Sequence, residues 1–178
     1  ERMKRYRYTN CLLALLRDGF HKESPEGQVV LRSDGTGIVD YEMSEYAWEG
    51  VRRALLTQAN IQFAAGATDV TIMHQESQKT KSLAEARHLI NSIQMRPFAT
   101  RVGTAHLMGG NPMSENPKKG VVNSLGEHHQ LENLSVIDGS VFPTSIGANP
   151  QLSIYAVAAK FADNIIGRYA HFYKGVGS

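Results

Sequence analysis

The chain has 178 residues, 42% of them hydrophobic and 20% charged, an ordinary globular balance that excludes fibrous and disordered classes and leaves room for one domain or two small ones. Lys and Arg total 19 against 17 Asp and Glu, and a formal charge of +2 is too small and too dispersed for a nucleic-acid surface, which favours a neutral or small substrate. The single cysteine, Cys11, can close no internal disulfide and build no cysteine metal cluster, and no apolar run approaches the ~20 residues of a membrane span.

The opening, Glu1 to Tyr8, is charged and aromatic rather than signal-like, and it lacks an initiator Met. It reads as the inside of a longer polypeptide, although processing leaves the same kind of start. Cys11 to Arg17 is apolar enough for a buried strand. Val29 to Arg32 and Ile38 to Tyr41 flank Ser33-Asp34-Gly35-Thr36-Gly37 and predict a hairpin, because Gly at the turn takes positive φ without a Cβ clash and Asp tolerates the neighbouring conformation. Ser44 can cap a helix in which Ala47, Val51, Ala54 and Leu55 form one apolar stripe, ending near Gly66. A short strand is expected around Val70 to Met73. Ser82-Leu83-Ala84-Glu85 has capping-box form and opens a second helix, with Leu83, Ala86, Ile90 and Ile93 facing inward and Pro97 as its terminator.

Beyond it, Gly103, Gly109, Gly110, Pro112, Pro117 and Gly120 break the chain into loop. Asn133 to Ile137 reads as a strand leading into Asp138-Gly139, and Gln151 to Arg168 as a long helix. That helix has so little polar face that it is expected to be buried on more than one side. There is no internal repeat and no low-complexity tract.

Two segments carry chemistry. One is Gly103-Thr104-Ala105-His106-Leu107-Met108-Gly109-Gly110-Asn111-Pro112-Met113; the other runs from Asn133 through Asp138-Gly139-Ser140-Val141-Phe142-Pro143-Thr144 to Ala148-Asn149-Pro150-Gln151. The second resembles the C-terminal signature of the glucose-methanol-choline (GMC) oxidoreductases, in which a strand ending in Asp-Gly runs through Ser-Val-x-Pro-Thr to an Asn-Pro that opens the last long helix. The first resembles the same family's His-x-x-Gly loop, in the right order and at the right separation, and two motifs together are far more specific than either alone.

The resemblance implies a mixed α/β fold: the C-terminal part of an FAD-binding Rossmann-like domain plus a substrate-binding antiparallel sheet with covering helices. Residues 1–100 would then belong to the substrate side, and residues 101–178 would complete the flavin domain and carry the catalytic loop. It implies FAD as cofactor, a small-molecule alcohol as substrate, and an N-terminal FAD-binding portion, in the same or a separate chain, as partner. Consistent with that, no glycine-rich dinucleotide fingerprint is present here; Gly35-Thr36-Gly37 lacks the final Gly and lies in the expected hairpin. The implied catalytic pair is His106 and Asn149, and the implied cofactor contacts are Asp138, Gly139, Asn149, Pro150 and Gln151.

The chemistry of those residue types agrees with this. Oxidising an alcohol by hydride transfer needs a base for the hydroxyl proton, a group that holds the oxygen, and an electron sink. An imidazole can serve as the base near neutrality, and a carboxamide can hold the oxygen without changing charge. Pro150 stands where a first helical turn begins, so the amides that follow are free donors for something anionic. The pair is expected to face each other with room for a planar ring. Gly110 and Asn111 stand where family members often have Thr and Cys, and Asn149 where many carry a second His.

Plainer readings remain for several residues. Asn149 could act only as a helix cap. His128 and His129 read as surface residues of a polar turn rather than a metal pair, His74 as part of a surface loop, and Lys118 and Lys119 as solvated charges; His21 and His171 carry no motif. A non-catalytic binding or interaction remnant of the same fold is the alternative to an enzyme.

Overall fold

A computed structural model describes residues 3–173; Glu1, Arg2 and residues 174–178 lie outside the described residues. The elements run in the order β1 (Gln28–Leu31), β2 (Gly37–Asp40), α1 (Glu45–Ala64), α2 (Leu83–Ser92) and α3 (Gln151–Tyr173), with short 3-10 turns at Met3–Tyr8 and Gly139–Val141. The result is mixed α and β. Two compact units divide it: residues 1–16 with 43–103, and residues 17–42 with 104–178.

In the first unit, α1 begins where expected, with the Ser44 hydroxyl accepting the Ala47 amide, and closes at Ala65 just before Gly66. Its buried face carries Trp48, Val51 and Ala59, and packs on Ala86, Leu89 and Ile90 of α2 together with Ile72, Ile93 and Met95. Burying a side chain such as Ile90 completely contributes about 1.5–3 kcal/mol. Ser82 caps α2 by accepting the Glu85 amide, but the Glu85 carboxylate returns to the amide of Lys81 rather than that of Ser82. The helix stops at Ser92, ahead of Pro97, because Ile93 is already extended. Its last carbonyls are taken by a residue of the other helix: the Arg52 guanidinium donates to Ile90 O and, at 3.2 Å, to Ile93 O.

Two expected strands of this unit are absent. Cys11 to Arg17 has no regular structure, and Leu13 is 86% exposed. Gln58 donates to the Leu12 carbonyl, and among the described residues no neighbouring strand pairs with the segment. The stretch after Val70 is reduced to one bridge with Thr80, and His74 then pairs separately with Thr100. Far from being a surface loop residue, His74 is buried: Nε2 lies 3.1 Å from Gln94 O, and Nδ1 accepts the Glu76 amide.

In the second unit, β1 and β2 form the expected antiparallel hairpin, with Val29 opposite Val39 and Val30 opposite Ile38. Its turn is closed by Arg32 N–H to Thr36 O and by Thr36 N–H to the Asp34 carboxylate. Asn133 to Ile137 is not a strand; only Ser135 bridges, to Glu127. Val122, Val141 and Phe161 make the core of the unit, with Val121, Val136, Ile137, Phe142 and Val157 around them. The helix α3 runs farther than expected, to Tyr173, and it is not buried all round. Phe161 is 2% exposed, whereas Leu152, Tyr155 and Ile166 are 80%, 60% and 66% exposed, because nothing among the described residues covers that side.

Candidate active site

His106 and Asn149 meet although 43 residues separate them: the Asn149 amide nitrogen lies 3.2 Å from His106 Nε2. With that nitrogen facing the ring, Nε2 accepts, and a neutral imidazole carries its hydrogen on Nδ1. His106 is half-buried in an irregular loop, while Asn149 is exposed directly ahead of the buried Pro150 and α3. The contact leaves no gap between the two side chains for a planar ring.

The loop carrying His106 is held along the Asp-Gly segment. Gly109 N–H donates to Gly139 O at 3.4 Å, Asn111 N–H to Ser140 O at 3.0 Å, and Met113 N–H to Val141 O at 2.8 Å. Asp138, exposed, caps the short 3-10 turn by accepting the Ser140 amide at 2.8 Å. Gly139 is buried, and a Cβ there would stand 3.0 Å from Leu107 O and 3.1 Å from Cδ1 of Ile154 on α3. A second close approach occurs at Gly126, whose Cβ position is 2.4 Å from the Phe161 ring. Farther along α3, Arg168 pairs with Glu127 and Tyr169 donates to Asn133. Gly139 thus sits at the junction between the loop and α3, Asp138 is beside it in sequence, Pro150 is buried at the start of the helix, and Gln151, exposed, donates to the Tyr155 hydroxyl.

Motif reading alone misses two sets of contacts. The segment after Leu16 lies on the turn before Asn149: Thr144 donates to Gly19 O at 3.0 Å, and the Arg17 side chain lies against Gly147 with its guanidinium over the Phe20 ring. Asp18 in that segment accepts from Tyr41, Ser24 and the Gly19 amide. Burial and the Asp18 carboxylate push the Tyr41 hydroxyl up to about 12; burial opposes ionisation of Asp18, but its three donors outweigh it and hold the carboxyl below the ordinary range. The other set is the side chain of Asn111, which donates to Ser140 Oγ at 3.0 Å. The Asn111 position is visible in the sequence as a departure from the family pattern, but nothing local names Ser140 as its partner.

His128, His129 and His21 hold loops. His129 Nε2 lies 2.8 Å from Ser114 O, His128 Nδ1 accepts the amides of Gln130 and Leu131, and both rings are half-buried rather than on the surface. His171 packs on Phe172, and His21 Nδ1 accepts the Glu23 amide. Lys118 and Lys119 sit on an exposed turn closed by Asn116. Among the described residues, no three His, Cys, Asp or Glu side chains are grouped to hold a metal, and no helix is long and apolar enough to cross a membrane.

A loop histidine facing an Asn-Pro at the start of the last helix, with an Asp-Gly turn beside it, is the pattern of one family, and the chain belongs to it: the model described as GMC oxidoreductase, for the family's C-terminal domain, matches residues 23–158. Curated relatives extend the likeness over nearly the whole chain. Long-chain-alcohol oxidase FAO4A of Arabidopsis thaliana is 28% identical over 93% of this chain and 22% of its own length, and FAO1 of the same plant is 29% identical over 93% and 22%. Over a shorter stretch, the cholesterol oxidase of Acinetobacter baumannii is 40% identical across 32% of this chain and 10% of its own length. The chain spans less than a quarter of the length of the long-chain-alcohol oxidases named here.

Proposed function

We propose that this chain, joined to an N-terminal FAD-binding portion, oxidises an alcohol, with His106 as the base and Asn149 holding the oxygen. The observation that carries the reading is the 3.2 Å contact between two side chains from separate motifs. An isolated structural histidine has no need of a carboxamide delivered from the start of another element. The names of the relatives favour an apolar alcohol, since several are long-chain-alcohol oxidases.

The residues present fit a flavin in their donor chemistry. The first amides of α3, from Gln151 onward, have no intrahelical carbonyl to meet, and the positive end of the helix dipole favours an anionic group beside them. Asn149, Gln151 and Asp138 are exposed, and His106 is open on one side, so a planar group can approach without displacing core. Asp138, Gly139, Asn149, Pro150 and Gln151 would hold it, Gly139 and Gln151 through their backbone. Bound FAD would supply the hydride acceptor.

His106 Nε2 offers the lone pair that receives the hydroxyl proton. That lone pair faces the Asn149 N–H in the resting site, so Asn149 releases it on substrate binding and turns its donors to the substrate oxygen, where negative charge develops. The N-terminal portion is the natural cover for the apolar side of α3, where Leu152, Tyr155 and Ile166 are exposed.

The test uses the whole protein carrying this chain. It should be yellow, and lauryl alcohol added without oxygen should bleach it. His106→Ala should leave the flavin bound while slowing bleaching by about 100-fold or more, the usual scale for a lost general base. Unchanged bleaching in that variant refutes the role given to His106.

A further inference from the structure

Asn111 occupies a position that the proposed chemistry does not use, yet its side chain is engaged. Its carboxamide nitrogen donates to Ser140 Oγ at 3.0 Å, while its backbone N–H donates to Ser140 O at 3.0 Å. Ser140 in turn donates its hydroxyl hydrogen to Asp138 Oδ1 at 2.5 Å, and its backbone N–H reaches the same oxygen at 2.8 Å. A hydroxyl has one hydrogen, and with Ser140 giving it to Asp138 the Ser140 oxygen faces Asn111 as an acceptor, so the Asn111 N–H is the donor of that bond. The three side chains form a chain polarised in one direction, ending on a carboxylate, an arrangement in which each bond strengthens the next.

We infer that Asn111 is a positioning residue that acts through Ser140: it fixes the orientation of the Asp138 carboxylate and, by the same contact, sets where the His106 loop lies along the Asp-Gly turn. The inference rests on the proposed role of His106 and extends it. Nearest to His106 the backbone tie is the weakest of this ladder. Gly109 and Gly110 both have positive φ, at 84° and 103°, and the Gly109 bond is long at 3.4 Å, so the stretch between His106 and the ladder depends on the next tie point for its geometry. Asn111 supplies that point with two bonds to one residue.

Shape and donor character can be separated in the whole flavin-loaded protein. Asn111→Asp keeps the outline of the side chain but turns the donor into a charged acceptor beside Ser140 and Asp138. It should lower kcat for lauryl alcohol by about tenfold or more with KM little changed, because a misplaced base costs turnover rather than binding. Asn111→Ala and Ser140→Ala should each give a similar loss, and the double variant should lose no more than either single one. Amide hydrogen exchange across residues 109–113 should rise in all four variants with the flavin still bound.

Full kcat in Asn111→Asp, or losses that multiply in the double variant, would overturn the inference. The exchange measurement keeps the two proposals apart. If no alcohol bleaches the wild-type flavin, the functional reading fails, while faster exchange in Asn111→Asp and Ser140→Ala still supports the tether and unchanged exchange refutes it.

Discussion

A methyl group at position 126 has nowhere to go. The backbone there has φ of 77°, and the Cβ would stand 2.4 Å from the Phe161 ring, inside any van der Waals contact. Gly126→Ala therefore combines backbone strain with overpacking against a core residue, and it should destabilise the protein by about 2–4 kcal/mol. Thermal or urea unfolding of the whole protein measures this, and a variant as stable as wild type would show that the ring does not sit over the glycine. Nothing in the sequence around Gly126 announces the contact, because its partner lies 35 residues on in another element. His106 and Asn149 were legible for the opposite reason: each stands inside a local string of Gly, Asp, Pro and Asn whose backbone requirements mark it. What the strings could not give was the spacing between the two side chains, which proves to be a direct contact with no slot for a ring.

Helix starts were similarly local and legible. Ser44 and Ser82 accept the amides three residues on, because a side-chain oxygen at that offset is the simplest partner for a free N–H. The end of α1 beside Gly66 was legible too, but that of α2 was not, since it is completed from α1 by Arg52, at a separation of 38 to 41 residues. Replacing Arg52 by Met should keep much of its packing but strand the Ile90 and Ile93 carbonyls, costing about 1–2 kcal/mol. Arg52→Lys should recover only part, because a single ammonium lacks the planar fork that spans two acceptors. Chemical denaturation separates the three proteins, and equal stability of Met and Arg at this position would mean the carbonyls are satisfied by solvent. Strands were the weakest elements to read. The run from Cys11 to Arg17 has strand composition, but a strand needs a neighbour, and composition does not say whether one is present.

On the scale of the molecule, the apolar residues of α3 explain the misplaced expectation of burial on more than one side. The pattern of Leu152, Ile154, Tyr155, Val157, Phe161 and Ile166 is that of a helix packed on several sides, and the described residues cover only one of them. If the N-terminal portion supplies the rest, the 178-residue chain produced alone should bind an environment-sensitive dye such as anilinonaphthalene sulfonate strongly and self-associate, whereas the whole protein should not. Equal dye binding by the two would count against that cover. The mixed α and β character and the family were within reach of the sequence. The two compact units are not contiguous in sequence, since residues 17–42 join one that otherwise lies far along the chain.

The two glycine notches under α3 have a mechanical consequence. Ile154 rests against Gly139 and Phe161 against Gly126, seven residues and two turns apart, so they act as two teeth on the same edge of a key. Sliding the rod by one turn, about 5.4 Å, would bring Ala158 and Ile165 to those notches, too short for one and the wrong shape for the other. Axial position and rotation are thereby fixed together, and the carboxamide just ahead of the first turn takes its address from teeth that never touch it.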